Sequence, residues 1–286
     1  PAQVFADSRI ALPGLAADNT LVVDATGRYT NSGEGLHRSV DPVDGEVYLY
    51  SQFEVPDARR VYAVFEQPDL KATFAFTVTV PEHWIVLSNE PVATRTLAGE
   101  DRTTWTFPPT PRISSYITAV CAGPYVGVTD SFAGRGAQIP LGVYARKSLA
   151  EYVDHDNILD CTKAGIGFLE EEFDMPFPFS KYDQIFVPEY NAGAMENAGC
   201  VTITDIYVFR GQAPEPLVER RALTILHELA HMWFGDLVTM QWWDDLWLNE
   251  SFAEWASSEA QVEVTRWHDA WTTFQTHEKT WAYQQD

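Results

Sequence analysis

Two histidines, His227 and His231, stand four positions apart and flank Glu228 in the stretch TILHELAHMWFGD, residues 224–236. On a helix, four residues advance the chain by about 6 Å and leave the second side chain about 40° around from the first, so both imidazoles can grip one metal ion. Glu228 points elsewhere and is no third ligand, but it can reach a water bound to that ion. Leu223, Leu226, Ala230, Phe234 and Leu237 recur at helical spacing around the pair, and Pro216 suits a first helical turn. Two unligated imidazoles in so apolar a helix would carry a desolvation cost that a metal removes.

A hydrolytic zinc centre takes three protein ligands and keeps one position open. The best third ligand is Glu250 in WLNESFA, residues 247–253, which follows His231 by 19 positions. A helix, a turn and a return helix bring a residue at that spacing back beside the first helix. Asp244 and Asp245 are expected to cap that second helix. Asp236, Asp244 and Glu254 are rival ligands, although Asp236 is very near the histidines and Glu254 fits a solvated face equally well. Two neutral imidazoles, one carboxylate and one water select Zn2+, one ion per chain, over calcium or copper.

A second stretch asks for a different chemistry. NAGAMENAGC, residues 191–200, is built of small residues around one carboxylate, Glu196. Small residues let another backbone approach closely, and an unpaired strand edge can accept an extended peptide by strand addition.

The elements that must position these groups divide into two kinds. Residues 46–54 (EVYLYSQFE) and 72–80 (ATFAFTVTV) alternate with the period of half-buried strands, and prolines punctuate them. Further strands are expected near residues 84–88, 103–107 and 115–121. Together they predict an antiparallel, sandwich-like β domain over residues 1–136, bounded by the glycine-rich segment 123–136. Residues 137–286 then mix one strand at 140–145, a helix over 149–173, strands at 185–187 and 201–209, and two long helices from Leu217 onward, interrupted around 239–244. The fold class is therefore α+β.

With 45% hydrophobic and 13% aromatic residues the chain can bury a large core. Its net charge of −22 carries no basic cluster, which disfavours nucleic acid and anionic membranes and draws in cationic ligands. No apolar run approaches a membrane span, so no membrane partner is expected. The oligomeric state is not readable. Cys121, Cys161 and Cys200 are widely spaced, and the N-terminal stretch PAQVFADSRIALPGL shows neither a basic nor an apolar signal region. Both features are expected of a cytoplasmic protein.

HELAH, then Glu250 within WLNES after 18 intervening residues, with GAMEN upstream at residues 193–197, resembles the M1 zinc aminopeptidases (gluzincins) of the bacterial aminopeptidase N type. The resemblance extends through YSQFEVPDARRVYAVFEQPDLKATF, residues 50–74. It implies a β-sandwich-like N-terminal domain followed by a thermolysin-like catalytic domain that removes the N-terminal residue of peptides. It implies that GAMEN lies on the edge strand of the catalytic sheet, with Gly193, Ala194, Met195, Glu196 and Asn197 lining the cleft and Glu196 binding the substrate's free α-amine. Glu54 is implied as a second amine ligand and Gln52 as a contact to the first substrate residue; positions i and i+2 of one strand do face the same side. Glu228 is then the general base.

The resemblance also implies a tyrosine that stabilises the oxyanion, lying beyond the third zinc ligand. This chain reaches Asp286, 36 positions after Glu250, and the role is not assigned to Tyr283, its last tyrosine. The chain is accordingly expected to be a central fragment, with the start of its β domain and the rest of its catalytic domain outside it. It is expected to bind zinc and to be short of full activity. Two other readings share the fold: a non-catalytic binding module, which the intact HELAH, Glu250 and GAMEN disfavour, and a relative that also opens a lipid epoxide.

Overall fold

The computed structural model describes residues 5–284. A small hairpin, β1 (Phe5–Ala6) and β2 (Arg9–Ile10), precedes β3 (Gly35–Val40), β4 (Val47–Gln52), β5 (Thr77–Pro81), β6 (Ile85–Ser88), β7 (Thr94–Leu97), β8 (Arg102–Thr106) and β9 (Val120–Gly123). These build a four-stranded antiparallel sheet, β3-β4-β9-β6, and a three-stranded antiparallel sheet, β5-β8-β7. The alternating apolar positions Leu49, Val80, Val86, Trp105 and Ala122 from the two sheets share one core, which is the expected sandwich-like packing.

A five-stranded sheet follows, made of β10 (Tyr125–Ala133), β11 (Gln138–Arg146), β12 (Tyr182–Val187), β13 (Ala194–Met195) and β14 (Cys200–Thr204), in the order β10-β11-β12-β14-β13. Its three inner strands run parallel and both edge strands antiparallel. β12 and β14 are buried along their whole length. Three helices pack on the sheet and on one another: α1 (His155–Glu172), α2 (Glu215–His231) and α3 (Leu246–Val264). Ile166 and Leu169 of α1, Ile225 and Leu229 of α2 and Ala253 of α3 meet Val143, Phe186 and Ile203 of the sheet in one core. Gly165 permits the close approach of α1 to α2, since a Cβ there would stand 2.5 Å from Leu226 Cδ2.

Several sequence expectations are corrected. The segment 123–136, read as a boundary, holds β10, which pairs along its whole length with β11 in the five-stranded sheet. Residues 72–76 are not a strand: Ala72 and Phe74 bond to Ile113 and Thr110, beside a segment whose prolines supply no N–H for a ladder. Residues 115–117 form a 3-10 turn before β9, and residues 205–207 another after β14. A 3-10 turn, Lys147–Tyr152, occupies the start of the expected long helix, so α1 begins only at His155. Asp245 takes the N-cap position of α3, but its side chain makes no capping bond, and Asp244 lies in the 3-10 turn before it. Leu237, expected on the apolar face of α2, lies beyond the helix end and is exposed.

Candidate active site

Pro216 sits in the first turn of α2, and the helix ends at His231 because the chain turns tightly there. The Gly235 N–H donates to Val238 O at 2.7 Å and the Asp236 N–H to His231 O at 3.0 Å. Gly235 has φ +131°, and a Cβ on it would stand 3.0 Å from His231 Nδ1, so glycine lets this turn fold over the imidazole. α3 returns antiparallel to α2 and carries Glu250 in its second turn.

His227 Nε2 and His231 Nε2 are 3.1 Å apart, and Glu250 Oε2 lies 3.3 Å from the first and 3.6 Å from the second. Tetrahedral zinc with bonds of about 2.0–2.1 Å sets its ligand atoms about 3.3–3.4 Å apart. The donor set and its spacing therefore fit zinc. The outer imidazole nitrogens are held as well. His231 Nδ1 donates to Phe234 O at 3.1 Å, and His227 Nδ1 faces Glu254 Oε2 at 3.4 Å. Such outer partners fix ring orientation and keep both Nε2 atoms turned to a shared centre. Glu254 is thus a support for His227 rather than a rival ligand.

A cavity of about 250 Å³ opens at this centre. His227, Glu228, His231, Glu250, Glu54, Glu196, Gly193 and Ala194 all line it. Burial pushes the Glu228 carboxyl up to about 8, against the pull of the two imidazoles. Burial also raises Glu54, and repulsion from Glu196 and Glu250 adds to it. Glu196 is raised by burial, with His231 opposing. Glu250 behaves oppositely: burial is outweighed by its contacts with His227 and His231, which hold it well below the usual carboxylate range.

One carboxylate oxygen from each of Glu54, Glu196 and Glu250 lies within 4.8 Å of the others. Glu54 Oε1 and Glu196 Oε1 are buried without a hydrogen-bond partner. Two unsatisfied acceptors beside a third carboxylate form a site for a cation with several N–H donors.

Glu196 follows β13, a two-residue strand at the sheet edge, so GAMEN does lie at an edge. A Cβ built on Gly193 meets nothing within 4 Å, leaving its backbone open to the cavity. Glu54, by contrast, is not a strand residue, because β4 ends at Gln52 and Glu54 stands in the turn beyond. Gln52 does not line the cavity; its Oε1 accepts the Glu54 N–H at 2.6 Å and so shapes that turn. Met195 is buried among Ile113, Tyr116 and Ile117, and Asn197 is buried with its Nδ2 3.3 Å from Thr202 Oγ1. Tyr283 is exposed and takes no part in the cavity.

Tyr207, Arg220, Leu223 and Thr224 also line the cavity, although the sequence assigns them no site role, and so does Glu254, expected only as a rival ligand. Arg220, Leu223 and Thr224 precede His227 by seven, four and three positions on α2, so helical periodicity could have found them. Tyr207 offers no such local signal.

Residues 158–286 match the family model described as the peptidase family M1 domain, and residues 9–117 match the peptidase M1 N-terminal domain. Over 288 aligned residues the chain is 60% identical to an aminopeptidase N of Streptomyces lividans, covering 100% of this chain and 33% of that relative. It is 37% identical to an aminopeptidase N of Acetobacter pasteurianus, over 83% of this chain and 67% of the relative. It is 36% identical to aminopeptidase M1-C of Oryza sativa subsp. japonica, over 90% of this chain and 29% of the relative. The chain thus spans about a third of the length of the Streptomyces relative. With both domains matched in order around one cavity, the chain belongs to peptidase family M1.

Proposed function

We propose that the chain carries the catalytic centre of a zinc aminopeptidase, which hydrolyses the first peptide bond of substrates with a free N-terminus. The observation that carries this reading is the meeting of two constellations in one cavity. Three ligand atoms lie 3.1–3.6 Å apart, and the unsatisfied carboxylates of Glu54 and Glu196 stand beside them. The names of the relatives support it.

His227, His231 and Glu250 hold the ion, with Glu254 and the Phe234 carbonyl orienting the two rings. Bound zinc supplies Lewis-acid polarisation of the scissile carbonyl and makes water a stronger acid. Glu228 reaches the attacking water from the cavity wall, takes its proton and delivers it to the departing amine. Glu196 and Glu54 hold the substrate's α-ammonium, which fixes the register so that only the first peptide bond lies over the metal. Gly193 and Ala194 offer bare backbone along which the substrate chain runs. The free thiols Cys121, Cys161 and Cys200 support placement in a reducing compartment, the cytoplasm.

The test uses the zinc-loaded protein with leucine arylamide and its N-acetylated form. Stoichiometric zinc, hydrolysis of the free-amine substrate alone, loss on chelation and recovery with zinc are expected. Equal turnover of the acetylated substrate refutes the amine role, and a Glu228→Ala protein with near-normal turnover refutes the general base.

A further inference from the structure

Glu196 has little local structure to hold it in place. β13 is two residues long, and residues 196–199 have no strand partner. Its own sheet holds the segment through Thr202, Thr204, Lys181 and Asp183, and at both ends further contacts lead to the N-terminal domain. We propose that this domain clamps the amine-reading segment at both ends, with His37 and Asn89 as positioning residues; the inference rests on the amine role of Glu196 proposed above.

At the leading end the clamp is built on β3. His37 is fully buried, and its Nδ1 accepts the Gly33 N–H at 3.0 Å. That leaves Nε2–H to donate to Glu189 Oε2, also at 3.0 Å. Tyr50 stacks on the imidazole, with centroids 4.8 Å apart, and its hydroxyl donates to Glu189 O at 3.3 Å. Asn191 Nδ2 donates to Ser32 O at 2.9 Å. Glu189 and Asn191 lead directly into Gly193.

At the trailing end, buried Asn89 donates to both Ile117 O and Ala198 O at 2.9 Å, and accepts the Ala119 N–H. The Ala198 N–H donates to Ile117 O at 3.2 Å. Two of the three bonds fix this amide on the sandwich domain, and the third, to Ala198 O, ties the segment to it.

The register of the first sheet explains why such a clamp matters. His37 lies opposite Tyr50 and Gly35 opposite Gln52, and the Gln52 side chain shapes the turn that carries Glu54. The same pair of strands therefore places Glu54 directly and Glu196 through the clamp. A shift of the N-terminal domain moves both amine ligands together relative to the zinc ligands on α2 and α3. Affinity for the ammonium is thereby coupled to domain docking.

The test compares binding of leucine hydroxamate and N-acetyl-leucine hydroxamate to the zinc-loaded protein by calorimetry, with zinc content and melting temperature measured alongside. Glu189→Ala is the principal variant, because that side chain is 62% exposed and its removal leaves no core cavity. The free-amine preference is expected to fall about tenfold, with zinc content and affinity for the acetylated ligand unchanged. Glu189→Gln, which can still accept from His37, is expected to restore the preference to within about threefold. An unchanged preference in Glu189→Ala, or equal weakening of both ligands, overturns the clamp. Absence of any amine preference in the unaltered protein overturns the amine role itself, and the clamp with it.

Discussion

Neutralising Glu196 should make the protein more stable and less able to act. Oxygens of Glu54, Glu196 and Glu250 lie within 4.8 Å of one another. At that separation and an effective dielectric of about 20, two ionised carboxylates repel by about 3.5 kcal/mol. Burial and mutual repulsion raise Glu54, and burial raises Glu196, so part of this repulsion is already relieved by proton uptake. Glu196→Gln keeps the side-chain shape and removes the rest, about 1–2 kcal/mol, which reads as a rise of about 2–6 °C in melting temperature. The same change removes half of the acceptor pair for the substrate's ammonium. Loss of one partner from a buried charged pair costs about 3–5 kcal/mol, or roughly 10²–10⁴-fold in kcat/KM, with zinc content unchanged. Arylamide kinetics on the zinc-loaded protein and differential scanning calorimetry on the zinc-free protein read the two effects. A variant that keeps kcat/KM within about threefold, or that melts lower than its parent, refutes the reasoning.

Glu254→Ala should weaken zinc binding about tenfold, at the low end of the range for an outer-shell partner because its contact with His227 Nδ1 is 3.4 Å long; competition with a chelating dye measures it. Gly199→Ala should destabilise the fold by about 2–4 kcal/mol in denaturant unfolding, since Gly199 has φ +66° and a Cβ there would stand 2.9 Å from Asn89 O. Asp41, buried where the two domains meet, bonds Ser148 and pairs with Arg146 at 2.9 Å. Although burial opposes it, these partners and the Val43 N–H lower its carboxyl from the ordinary 3.8. A depressed carboxyl contributes stability above its unfolded value and loses it as pH falls through the folded one. Asp41→Asn should therefore cost about 2–3 kcal/mol at neutral pH and flatten the acid limb below about pH 4 in pH-dependent unfolding. Asp205, the second carboxylate on Arg146, is raised by burial and acts oppositely, so the variant's difference from its parent is the quantity to read.

What could be read from the sequence is what depends on neighbours along the chain. Helical periodicity alone puts His227 and His231 on one face, and a helical return of ordinary length brings Glu250 to them. Alternation marks β4 as a strand but not as half-buried: Leu49 packs into the sandwich core while Tyr48 and Tyr50 pack against Ile185 and Val187, so both faces are covered. Where a segment's partner is distant, local pattern fails. Residues 72–76 alternate like a strand yet lie beside a proline-broken segment that cannot complete a ladder. β10 reads as a glycine-rich boundary until β11 pairs with it. The approach of Glu54 to Glu196 crosses the domain junction and depends on how the turn after β4 docks against the edge of another sheet. The meeting of the unsatisfied carboxylate oxygens and the contacts of His37 and Asn89 with the edge segment exist only after that docking, and the contact of His227 with Glu254 only once α3 packs on α2. The sequence by itself brought out the candidate ligand pair His227 and His231 and offered Glu250 as the third, because helix geometry converts spacing into direction. Only the tertiary structure brought Glu54, Glu196 and Glu250 together, because residues far apart in the chain meet there through packing that no local period encodes.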